Sequence, residues 1–105
     1  MKQNIAAQTP LLNPRDVDFL LYEWLNAEEL TKRDAFAEHS KETFDAALDL
    51  AADIAVQKLS NHYKDADANE PTIQPDGTAK TLPATKAGLD AIAASGLTFG
   101  ELPAE

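Results

Sequence analysis

The sequence predicts a mainly α fold: a small helical bundle of about three helices with a short β-hairpin. Three observations carry this expectation. Apolar residues recur at helical spacing behind Asn13-Pro14 and again behind Ser40. Pro75-Asp76-Gly77 separates two short runs containing Thr and Ile. Pro83 and Gly96 bracket an Ala-rich segment, with Pro where a helix begins and Gly where one ends.

Met1 to Leu12 is polar and Ala-rich and contains Pro10, so it reads as a flexible or partner-bound lead-in ahead of one domain over 13–105. Asn13 suits an N-cap, Pro14 the first helical position, and Asp16 can bond orphan amides of the first turn. Behind them Val17, Leu20, Leu21, Trp24 and Leu25 follow i, i+3, i+4, i+7 and i+8. This predicts a helix over about Pro14–Asn26 with Trp24 in the core and Tyr22 on its flank, placed for a polar contact across an interface. Asn26-Ala27-Glu28-Glu29-Leu30 reads as a turn with a short helical stub. Thr31 to His39 then connects to the next helix, with Phe36 plugging the core.

Ser40 caps the longest predicted helix, over about Lys41–Tyr63. Its inward stripe is Phe44, Leu48, Ala51, Ala55, Leu59 and His62, with Leu50 and Ile54 widening the apolar face. Glu42, Asp45, Asp49, Asp53 and Gln57 fall on the opposite side, and the early acids favour the positive end of the helix dipole. Asp65 to Pro71 is acidic and turn-prone. Pro75-Asp76-Gly77 suits a type I turn closed by a left-handed Gly, hence a hairpin that must lie on the helices to be stable. Pro83 opens a third helix over about Ala84–Ser95, with Gly96 at C′ and Ala87, Leu89, Ile92 and Ala93 on the buried side. The apolar run Leu97-Thr98-Phe99-Gly100-Glu101-Leu102-Pro103 is expected to pack on something.

Composition excludes several classes of chemistry. The chain has 105 residues, a net charge of −9 and no cysteine. The charge argues against a nucleic-acid or anionic-membrane surface, and the missing thiols remove disulfides, thiolate nucleophiles and Cys-based metal sites. No stretch is apolar enough to span a membrane and no signal-peptide core is visible, so the expected location is cytoplasmic. Asp45, Asp49 and Asp53 share a helical face, but successive turns of one helix hold carboxylates too far apart for a hard cation, so they read as a solvated face. His39 and His62 read as structural, and no Ser, His and Asp stand close enough in sequence to suggest a triad. The four glycines form neither a phosphate loop nor a dinucleotide fingerprint. No catalytic, cofactor-binding or metal-ligating residue is assigned. Leu50, Ile54, Leu97, Phe99 and Leu102 are the candidate interface, because three helices leave their apolar edge without a partner; a homo-oligomer is the expectation.

Two segments have a more particular wording. Phe19-Leu20-Leu21-Tyr22-Glu23-Trp24-Leu25 and Phe36-Ala37-Glu38-His39-Ser40-Lys41-Glu42-Thr43-Phe44-Asp45-Ala46 resemble the N-terminal helical region of flavin-dependent acyl-CoA dehydrogenases. The likeness is to the large bacterial branch with an N-terminal extension. Asn69-Glu70-Pro71, Leu82-Pro83 and the Ser95-Gly96-Leu97 turn agree with the same order of elements, so the resemblance runs from about Leu12 onward. It implies that the chain is the N-terminal part of a longer enzyme whose helical, β and helical domains bind FAD and oxidise an acyl-CoA thioester to the 2,3-enoyl-CoA. In that family the flavin contacts and the catalytic carboxylate come mainly from later domains. The resemblance therefore implies that residues 1–105 supply scaffold and part of the acyl-channel wall. They bind no FAD and are inactive alone, their partners being the remaining domains, with acyl-CoA a substrate only of the full-length enzyme. The family continues into a Gly-rich loop where Gly100-Glu101-Leu102-Pro103-Ala104-Glu105 breaks off. The alternative function is a free-standing small helical protein-interaction module.

Overall fold

A computed structural model describes residues 11–99 and gives a mainly helical chain with a two-stranded hairpin. The residue pairings divide it after Ala52 into two compact units. The lead-in before Leu11, together with Leu102 and the rest of 100–105, lies outside the described residues.

The first unit opens as its cap dictates. Asn13 is extended, and its Oδ1 accepts from the amides of Arg15 and Asp16 at 3.0 and 3.4 Å. Pro14 then starts α1, Pro14–Asp18. From Phe19 to Trp24 the helix widens into a π turn, which ends as the Leu25 amide donates to the Leu20 carbonyl at 2.9 Å. Asn26 stops it in the left-handed region at φ 51°, a conformation Asn tolerates better than most side chains. The expected stub follows as a 3-10 helix, Ala27–Lys32, and a second 3-10 turn covers Asp34–Phe36.

The π turn corrects the expected stripe. A π turn bonds i to i+5 and takes more residues per turn than the 3.6 of an α helix, so side chains spaced for an α stripe drift off it. Its half-buried side is Val17, Asp18, Leu21 and Tyr22, while Phe19, Leu20, Trp24 and Leu25 face solvent. Trp24, expected in the core, is 69% exposed. Phe36 is exposed too and plugs no core.

Ser40 and Thr43 cap the next helix reciprocally. The Ser40 amide donates to Thr43 Oγ1 at 2.9 Å and the Thr43 amide to Ser40 Oγ at 3.4 Å. This is the geometry of a capping box, with a hydroxyl in place of the usual carboxylate or amide. Helix α2 runs Lys41–Ile54 and contains the division between the units. Phe44 and Leu48 are half-buried as expected, whereas Ala51 is exposed and Ala52 is partly covered instead.

In the second unit the long helix ends sooner than its stripe predicts. A π turn, Ala55–Leu59, closes with the Ser60 amide donating to the Ala55 carbonyl at 2.8 Å. His62 leaves helical geometry at φ −141°, ψ 2°, and α3 covers Tyr63–Ala68, where a turn was expected. The hairpin forms where expected, but its strands, expected to lie covered on the helices, are exposed, Ile73 at 78%. Strands β1, Thr72–Ile73, and β2, Ala79–Lys80, pair antiparallel, Thr72 opposite Lys80 and Ile73 opposite Ala79. The Gly77 amide donates to the Gln74 carbonyl at 2.9 Å, and Gly77 takes φ +87°, the left-handed position the turn requires.

Helix α4 covers Pro83–Ser95 with Gly96 left-handed at its end, again as expected. Its covered face is the expected one only at Ile92. Gly88 is buried and Ala84, Thr85, Ala91, Ile92 and Ser95 are partly covered, while Ala87, Ala93 and Leu89 (63% exposed) point outward. The reason is a close crossing with the second π turn. A Cβ at position 88 would stand 2.9 Å from Leu59 Cδ2 and 3.2 Å from the Lys58 carbonyl oxygen. Small residues let backbones approach, so α4 turns its small face inward. Among the described residues Gly88 is the one buried residue of a helix, and no large side chain is fully buried.

Candidate functional site

A polar grouping joins the first helix to α2 within the first unit. Tyr22 lies on the covered side of the π turn, and Lys41 and Asp45 share one face of α2 at i, i+4. The Tyr22 hydroxyl donates to Asp45 Oδ1 at 2.6 Å, and Lys41 Nζ donates to Asp45 Oδ2 at 2.7 Å. Lys41 Nζ also lies 4.3 Å from the centroid of the Tyr22 ring, within cation–π range. All three residues are half-buried.

Burial raises the Tyr22 pKa far above its ordinary value, and its hydrogen bond to the Asp45 carboxylate raises it further. The phenol is therefore a proton donor held in place, not a base. Asp45 has one oxygen occupied by a hydroxyl and the other by an ammonium. The arrangement suits fastening two helices together. Asp45 was expected on a solvated face with Asp49 and Asp53; it instead pairs inward, while Asp49 and Asp53 remain exposed. The signal in the sequence was Lys41 one turn before Asp45 together with a tyrosine on the flank of a neighbouring apolar stripe.

Other charged groups are tuned locally by backbone turns. The hydrogen bond from the backbone amide of Glu42, then that from the Ser40 side chain, lowers the Glu42 carboxyl pKa. Asp76 is lowered by the Thr78 hydroxyl and then the Thr78 amide, both of which donate to its Oδ1, at 2.7 and 3.0 Å. His39 joins the α2 cap, its Nδ1 3.4 Å from Thr43 Oγ1, and His62 Nδ1 lies 2.7 Å from Asn61 Oδ1. Among the described residues no group of three or more His, Cys, Asp or Glu is arranged to hold a metal ion.

Of the candidate interface residues, Leu50 on α2 and Leu97 in the closing 3-10 turn Leu97–Phe99 are exposed, and Ile54 is half-buried. Phe99 ends that turn, and Leu102 lies outside the described residues. Leu50 falls in the first unit; Ile54, Leu97 and Phe99 fall in the second. A different apolar surface was missed: Phe19, Leu20, Trp24 and Leu25 on the π turn are all exposed. Six apolar or aromatic residues in seven positions, Phe19 to Leu25, are more than one helical stripe can bury, and that excess was its sequence signal.

No family model matches the chain, and neither a curated protein nor a solved structure is significantly similar to it. None of the described helices is long and apolar enough to cross a membrane.

Proposed function

We propose that the chain is the N-terminal helical part of a cytoplasmic FAD-dependent acyl-CoA dehydrogenase. In that enzyme it serves as scaffold and as part of the acyl-channel wall, while FAD and the catalytic carboxylate belong to later domains. The observation that carries this reading is the order of elements on which the resemblance rests. The chain forms a capped first helix, a Ser40-capped helix, a Pro-Asp-Gly hairpin and a helix over Pro83–Ser95, in the order of the segments that carry the resemblance. The exposure of Leu50, Leu89 and Leu97 supports apolar surfaces meant to be covered. That exposure equally favours the second reading, a free-standing helical interaction module.

Reading the gene past codon 105, then assaying both products, separates the two. The flavin reading expects a continuing frame whose longer product is yellow and reduces a dye acceptor with acyl-CoA substrates. The 105-residue chain alone is expected to take up no FAD and turn over no acyl-CoA. A native stop codon together with a monodisperse, folded 105-residue product would overturn this reading in favour of the module. Stoichiometric FAD binding by the short chain would overturn the division of labour.

A further inference from the structure

We propose that the exposed face of the first π turn docks a cationic amphipathic helix of another protein; this surface is additional to the Leu50, Ile54 and Leu97 residues and independent of the flavin reading. The π register builds the face. Bonding i to i+5, it takes more residues per turn than an α helix and so brings Trp24 toward the side of Phe19 and Leu25 toward the side of Leu20, leaving four apolar side chains on one side of the segment. In an α register i and i+5 would diverge by about 140°. The four are 53%, 43%, 69% and 59% exposed in the order Phe19, Leu20, Trp24, Leu25. With aromatic side chains of about 150–250 Å² each and leucines somewhat smaller, the open apolar surface is on the order of 450 Å².

Size and charge choose the occupant. A stable dimer buries about 800 Å² on each partner, nearly twice this patch, whereas one amphipathic helix laid across it needs only a few anchor positions. From Asn13 to Leu30 the chain carries Asp16, Asp18, Glu23, Glu28 and Glu29 against the single cation Arg15. Asp16 and Glu23, which precedes Trp24, are both exposed beside these apolar residues, so carboxylates flank the face. A second copy would bring the same acids and the same −9 charge to the contact. A helix with Leu on one face and Lys on the other complements both parts of the surface.

Trp24 is the only tryptophan of the chain, so the face reports its own occupancy. The experiment titrates the chain with a Leu/Lys amphipathic peptide of about 18 residues and with the same peptide carrying Glu for Lys, following Trp24 emission. Saturable binding of the Lys peptide with a blue shift is expected, with the Glu peptide weaker by more than about tenfold. The Phe19→Ser/Leu25→Ser variant should lose binding by at least about tenfold while keeping the wild-type circular dichroism melt, since both side chains are exposed; Leu89→Ser, on α4, should bind as wild type. Failure of the Lys peptide to bind, binding without a Trp24 shift, equal binding of both peptides, or full binding by the Phe19→Ser/Leu25→Ser variant would each overturn the proposal. A Trp24 blue shift and a doubling of mass on concentrating the chain alone would replace the cationic helix with a second copy.

Discussion

Replacing Tyr22 by Phe removes one hydroxyl and leaves the ring, with its neighbour Lys41 Nζ 4.3 Å from the ring centroid, in place. What is lost is the 2.6 Å hydrogen bond to Asp45 Oδ1. A hydrogen bond to a charged group contributes about 1.5–3 kcal/mol net, and at a half-buried site water can partly replace it, so the expected cost is about 1.5–2 kcal/mol. For a unit of this size each kcal/mol moves the midpoint by about 4–8 °C, giving a fall of roughly 6–16 °C in a circular dichroism melt. Asp45→Asn retains an acceptor for Tyr22 but makes it neutral and removes the i, i+4 ion pair with Lys41, so it should cost part of the hydrogen bond in addition to about 0.3–0.5 kcal/mol for the pair. The Tyr22→Phe and Asp45→Ala single and double variants, closed as a cycle, should show that most of the effect belongs to the pair. The linkage has a definite sign. Because the folded pKa of Tyr22 lies above its ordinary 10.0, the stabilisation is complete below pH 10 and is lost as pH rises toward the folded value. Alkaline titration of tyrosinate absorbance should therefore contain a late component that Tyr22→Phe abolishes. A Tyr22→Phe midpoint within about 2 °C of wild type, with an unchanged tyrosinate curve, would refute the fastening role.

Further expectations concern positions where the structure departs from simple patterning. Trp24→Ala should cost less than about 1 kcal/mol, not the 3–5 kcal/mol of a core aromatic, and wild-type emission should be that of a solvated indole. A large loss of stability would return Trp24 to the core. Gly88→Ala should stay within about 1 kcal/mol of wild type, since better helix propensity offsets the tight approach to Leu59 and the Lys58 carbonyl, whereas Gly88→Val should lose about 2 kcal/mol or more. Equal melts for the two variants would disprove the close crossing. Asp76 should titrate below its ordinary 3.8, so its contribution to the turn is present above that value and fades as pH falls through the folded pKa; Thr78→Val should move the carboxyl back up in an NMR titration.

Local chemistry was legible in the sequence because it depends only on neighbours along the chain. Asn13 with Pro14, Ser40, the Pro75-Asp76-Gly77 turn and the Pro83 to Gly96 brackets each fix a backbone conformation within about four residues, and each stands as read. Which face a helix buries is a different kind of quantity. The sequence placed Trp24 inward by counting in an α register, and the π turn at Phe19–Trp24 rotated it outward. It ranked Leu89 as core by hydrophobicity, but the second π turn offered α4 a backbone to approach, and only the side bearing Gly88 could come that close. Asp45 looked like one acid among several until Tyr22 and Lys41 met it from two sides. Caps and turns are set by torsions a few residues can hold alone; faces and pairings follow from which surfaces fit, and fit belongs to the tertiary structure.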